Sequence, residues 1–255
     1  MGAPAAERRA SRQAPVPVAH DVALYDVRFR ALLGVTAWAR LPPAVRRRFS
    51  KRLHPGASVT YAGHIVESRR TRFGWLLAHL CRFIGAPLPL SDETAVPAIV
   101  TVTQDGASDG QFWTRIYGRT RGFPQIIHSC KRFAGPTGLE EYLGRGFGIA
   151  LRVSADARAL QFNGDHYFVK VGPARLRLPG WCSPGALTIS HIDRGGGWFD
   201  FELVLRHPLF GEVIRQTCAF RERFAVEQAR VPERGATRRS SGSGRQPPCD
   251  LWQRR

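Results

Sequence analysis

The sequence predicts an α+β protein in which N-terminal helices pack on one large antiparallel sheet, curled or barrel-like. Three observations carry this. Helix-period segments are confined to about the first 85 residues. From Val96 onward, short runs of β-branched and aromatic residues alternate with Gly, Pro, Asn and Asp. The links between those runs are too short for crossover helices, which dictates antiparallel pairing.

The elements follow in order. Residues 1–20 are Ala, Pro and Arg without periodicity and read as a disordered tail. In "VALYDVRFRALLG", Leu24, Val27 and Ala31 recur at helical spacing, and Gly34 can close the helix. "LPPAVRRRFSKRLHPG" opens with prolines suited to a first turn, and Val45, Phe49 and Leu53 form one apolar stripe. "ASVTYAGHIVES" reads as a strand, and "TRFGWLLAHLCRFIGAPLPL" as an apolar helix ending near Gly85. Nine strands are expected after it, the first two joined through the turn "DGASDG". One domain over 21–226 is expected, then a disordered basic tail over 227–255.

The composition is globular, with 43% hydrophobic and 23% charged residues. The formal net charge is +18, and only three of the 38 basic residues are lysines (Lys51, Lys131, Lys170). An arginine excess beside abundant Ala, Gly and Pro fits the coding bias of a GC-rich genome. A charge of this sign still favours anionic partners such as a membrane surface. Nucleic acid is disfavoured, because no groove-reading element or stacking motif accompanies the arginines. Five widely spaced cysteines without C-x-x-C argue against a zinc site or a disulfide framework. The first residues lack the apolar core of a signal peptide, and no apolar run is long enough to span a bilayer. The expected address is the cytoplasm, with peripheral attachment to the inner membrane left open.

The sharpest chemical grouping is "SHIDRGGGWFDFELVLR". A four-residue "RGGG" loop would pair Ile192 with Phe199 and His191 with Asp200, placing His191, Asp200 and Glu202 on one face. That grouping offers a His–carboxylate pair for acid–base catalysis; the competing reading is a solvated face with a cross-strand charge pair. His64, His128 and His166 have weaker contexts. Glu140 and Glu141 could form an acid pair, but neighbouring residues of any strand would face opposite sides. No phosphate loop, nucleophile elbow, H-E-x-x-H or dinucleotide fingerprint occurs, so neither a cofactor nor a metal is expected. On the apolar helix, Trp75, Leu76, Leu80 and Phe83 with Arg72 and Arg82 suit a ligand or a lipid interface; the alternative is a helix that caps the sheet as core.

The segments "FRALLG", "LPPAVRRRFS", "YAGHIVESRR", "WLLAHLCRFIGAPLPL", "GPTGLEEYLGRGFGIALRV" and "FELVLRHPLFGEVIRQT" occur in an order that resembles the bacterial domain of unknown function numbered 4166, over about residues 24–224. Relatives of that family stand alone or follow a saccharopine-dehydrogenase-like NAD-binding domain. The resemblance therefore implies such a protein as a partner, and it supplies no catalytic residues. The expected function is binding of an apolar or amphipathic small ligand, lipid included, at a concave antiparallel sheet. An enzyme using the 187–206 hairpin and a peripheral membrane domain are the alternatives.

Overall fold

The computed structural model describes residues 24–226 apart from Gly56. Leu24–Tyr25 (β1) pairs antiparallel with Lys51–Arg52 (β2). Between them lie α1 (Arg28–Leu33), α2 (Val35–Arg40) and α3 (Pro43–Phe49). The first helix starts later than the periodicity suggests. The buried Asp26 carboxylate accepts from the Arg28 amide at 2.9 Å and from its guanidinium, which sets the start there. Gly34, at φ +77°, ends α1 and allows α2 to begin on a new axis. Pro43 opens α3 as expected, but the helix ends at Phe49 rather than near Leu53, because Lys51–Arg52 pairs with β1; Val45, Phe49 and Leu53 are nonetheless all buried.

The chain then enters β3 (Ser58–Arg70) and α4 (Arg72–Leu80), which a 3-10 turn at Cys81–Ile84 extends to Gly85. Thr71 caps α4 by accepting from the Gly74 amide at 3.1 Å. There follow β4 (Pro97–Gln104), β5 (Gln111–Tyr117), β6 (Gln125–Arg132), β7 (Glu140–Gly144) and β8 (Phe147–Ala155). The remainder is β9 (Ala159–Val171), β10 (Ala174–Arg177), β11 (Ala186–Gly195), β12 (Trp198–His207) and β13 (Gly211–Val226). Ten strands follow α4 rather than nine. The additional one is β7, whose "EEYLG" carries a charge where an inward apolar residue was expected.

The order β9-β11-β12-β13-β3-β4-β5-β6-β7-β8 is antiparallel throughout, and β8 pairs back onto β9. The curled sheet is thus a closed ten-stranded barrel. The length of β9 makes closure possible. Along one edge its first residues pair with β11 and its last with β10, while the other edge runs along β8.

Alternation decides which side chains enter the lumen. On β5 the buried residues are Gln111, Trp113, Arg115 and Tyr117, and on β12 Phe199, Phe201, Leu203 and Leu205 share one face. The outer wall is polar: Ser58 meets Thr103 at 2.7 Å, and Arg152 meets Asp165 at 2.6 Å. The N-terminal helices close one end of the barrel. Phe29 of α1 and Phe49 of α3 pack 5.9 and 5.8 Å from Phe162 on β9. Burying each such ring contributes about 2–3 kcal/mol. The other end is roofed by α4, with Gly74 and Ala78 buried against the barrel. Among the described residues, no helix is long and apolar enough to cross a membrane.

Candidate functional site

Ten strands enclose a wider lumen than the eight whose side chains just fill a barrel. Here the lumen is crossed at mid-height by charge. Arg115 (β5), Ser129 and Lys131 (β6) and Glu141 (β7) all point inward and are buried. Register brings them together, since Lys131 lies directly opposite Glu141 and Trp113 opposite Ser129. Arg115 Nη2 donates to Ser129 Oγ at 2.5 Å and to Glu141 Oε1 at 3.1 Å. Lys131 Nζ lies 2.9 Å from Glu141 Oε2 and 4.5 Å from the Trp113 ring centroid. Burial pushes the Glu141 carboxyl up, but Lys131 and Arg115 outweigh it and hold it at about 2.

On the helix-plugged side of this layer lies His191, buried in an aromatic box. Its ring centroid is 5.0 Å from Phe49, 5.3 Å from Phe201 and 6.0 Å from Trp113. The space beside it is about 40 Å3, enough for about one water. Burial first, then Arg48, Lys131 and Arg115, push its pKa well below the usual imidazole range. We therefore expect His191 to stay neutral in the folded protein at pH 6, visible as an imidazole resonance that does not titrate between pH 8 and 6. The sign is that of a depressed base. Its contribution to stability is complete above the unfolded value of about 6.5 and declines as pH falls below it, because only the unfolded chain takes up the proton.

On the other side, between the ionic layer and α4, lies a cavity of about 160 Å3. Leu77, Cys81 and Ile84 form its roof, while Leu187, Leu203 and Leu205 stand in its wall. Arg115 and Glu141 are the charged residues that line it. Burial raises the Cys81 thiol to about 11, so it is a neutral part of the roof. Arg115 Nε is buried without a hydrogen-bond partner, as are Gln216 Oε1, opposite Leu203, and Trp113 Nε1. A native barrel leaves few such groups unmatched; of these three, Arg115 lines this cavity and Trp113 lines the space beside His191.

The roof depends on one close approach. A Cβ on Gly74 would stand 2.1 Å from the Val213 carbonyl oxygen of β13. Gly74→Ala should therefore lift α4 and cost about 1–3 kcal/mol. Faster amide exchange over 72–80, with barrel amides unchanged, is the expected signature.

The residues singled out in the sequence divide. His191 pairs with Phe201, and Ile192 with Asp200, one position away from the expected register. A bulge between Asp193 and Gly195, followed by Gly196 and Gly197 at φ +60° and +82°, replaces the four-residue loop. The slip sends His191 into the lumen and leaves Asp200 and Glu202 on the outer face. There Asp200 accepts from Arg194 at 2.6 Å and Glu202 is paired with Arg215. The three do not share a face, and a dyad across the wall lacks hydrogen-bond reach. On the apolar helix, Trp75, Leu76, Leu80, Phe83, Arg72 and Arg82 are all exposed. Sequence reasoning does not pick out Arg115, Ser129 and Lys131, and it sets Glu141 aside. Their signal was parity: Arg115 has the phase of Trp113 and Tyr117, and Lys131 that of Ile127. Among the described residues, Cys81, Cys182 and Cys218 are free thiols, and Cys130 is disulfide-bonded.

The family model described as Domain of unknown function (DUF4166) matches residues 41–220, most of the chain. The chain belongs to the DUF4166 family. No curated protein and no solved structure matches it. The DUF4166 match runs from the residues before α3 into β13, so the whole ionic layer and the wall and roof of the cavity lie inside it.

Proposed function

We propose that this DUF4166 protein binds a small apolar molecule carrying one hydrogen-bond acceptor, in the lumen beneath α4. The observation that carries the reading is the apolar cavity closed on one side by an arginine with an unmatched Nε–H. Size narrows the class. An apolar void of about 150 Å3 holds a benzene, so a site of about 160 Å3 takes one ring or a short alkyl chain. A lipid would enter only in part, or with α4 displaced. Charge narrows it again. Glu141 already sits between Arg115 and Lys131, so a neutral acceptor meets Nε–H without bringing another ion into a dry interior.

Titration calorimetry with phenol and toluene tests this, since the two differ in shape by little and in acceptor completely. Saturable binding of both is expected, with phenol tighter by about tenfold or more. Absence of saturable binding by either compound would overturn the reading, and equal affinities would remove Arg115 from it.

A further inference from the structure

The cavity end of the barrel carries apolar side chains that packing does not explain. α4 turns Phe73, Leu77 and Ala78 towards the barrel, yet its outer side bears Trp75, Leu76 and Leu80 in place of a polar face. Phe83 follows, 72% exposed. The turn between β12 and β13 adds Leu209, 83% exposed, and Phe210. It is fastened to α4 by the rings of Phe73, His207 and Phe210, with centroids 4.3 to 5.0 Å apart. The loop before β11, whose Cys182 and Pro184 line the same cavity, adds Trp181, 86% exposed. The loop between β5 and β6 adds Phe123, 91% exposed; Gln125 at its end ties it to the segment after α4 through the Leu88 carbonyl at 2.9 Å. Four separate connections thus present large apolar tips around one mouth.

Cations stand among them. Arg72, Arg82, Arg121, Arg145 and Arg177 are exposed and make no ion pair among the described residues. The nearby carboxylates are engaged: Asp92 with Arg70 at 2.9 Å, Glu93 with the Thr120 amide at 2.6 Å, and Glu212 with Arg215 at 2.7 Å. We propose that this end of the barrel docks on an anionic lipid bilayer, the apolar tips entering the interface and the arginines meeting headgroup phosphates. Side chains that project singly from several loops suit a deformable phase, whereas a rigid protein partner needs a pocket for each. Tryptophan and arginine are the residues that interfaces favour. The proposal stands independently of what the lumen holds, so it can fail while the phenol titration succeeds, and the reverse.

The test is vesicle cosedimentation of the full chain, with phosphatidylcholine alone and with added phosphatidylglycerol. Binding is expected only with phosphatidylglycerol. A Trp181→Ser, Leu209→Ser double variant should lower the partition by about tenfold or more. Arg72→Glu with Arg82→Glu should abolish the dependence on phosphatidylglycerol by a separate route. All four side chains are exposed, so the melting temperature should stay near that of the parent. Equal partition onto both vesicle types, no partition, or unchanged binding by both variants would overturn the proposal. So would a solution dimer that the Trp181 and Leu209 substitutions dissociate.

Discussion

Glu141→Gln is expected to destabilise the protein by about 3–5 kcal/mol, because it keeps the shape of the side chain and leaves Arg115 and Lys131 buried without their carboxylate. Domain stabilities are about 5–15 kcal/mol, so this single change removes a large part of the whole. The pH dependence carries a sign. The folded carboxyl is held at about 2 against an ordinary value of 4.5. Its contribution is therefore complete above about pH 4.5 and is lost as pH falls towards 2, amounting to about 3 kcal/mol. Chemical denaturation of the parent at pH 7 and pH 3 should show about 2 kcal/mol of that loss, and Glu141→Gln should show less of it. Equal losses in both would mean that Glu141 is not the group that the ionic layer holds charged. Replacing the layer wholesale by apolar residues need not destabilise, since buried ion pairs often do no better than a packed core. Their retention at the edge of an otherwise apolar cavity is consistent with a role towards an occupant.

Leu203→Trp is expected to abolish binding of phenol, lowering its affinity by about 100-fold or more, at a stability cost of about 1–3 kcal/mol. Leu203 is buried in the barrel core and lines the cavity wall. The indole would occupy the volume that the ligand needs. Leu203→Ala should act in the opposite sense. It costs about 2–5 kcal/mol through the enlarged void, and it should admit two-ring compounds that the parent excludes. Calorimetry of the three proteins with phenol and naphthol checks both directions. Unchanged phenol affinity in Leu203→Trp would place the binding somewhere other than beneath α4.

How much of this was legible in the sequence is best seen strand by strand. Short connections and period-2 alternation were enough for an antiparallel, curled sheet, because these are local properties of the chain. Closure was not local. It depends on β9 reaching past β11 to β10 while its other edge meets β8, a consequence of length and twist. β7 is absent from the nine expected strands because Glu141 occupies an inward position, where a strand pattern calls for an apolar residue. The reason for that charge lies on β5 and β6, some ten to thirty residues away in the chain. The hairpin at 187–206 shows how sharply register can divide a site. One bulge at Asp193 moved His191 from the company of Asp200 and Glu202 into an aromatic box with Phe49 and Phe201. Alternation had correctly grouped Phe199, Phe201, Leu203 and Leu205; only the partner strand's phase was lost. On α4, periodicity showed an apolar helix, but which of its sides meets the barrel follows from Gly74 and its approach to Val213.

The most direct test of the central claim is a crystal structure with 4-bromophenol, whose bromine gives an anomalous signal and whose hydroxyl can accept one hydrogen bond. The account predicts bromine beneath α4 among Leu77, Leu203 and Leu205, with the hydroxyl oxygen within hydrogen-bond distance of Arg115 Nε. Bromine found only on the outer surface, or a lumen closed by rearranged side chains, would contradict it.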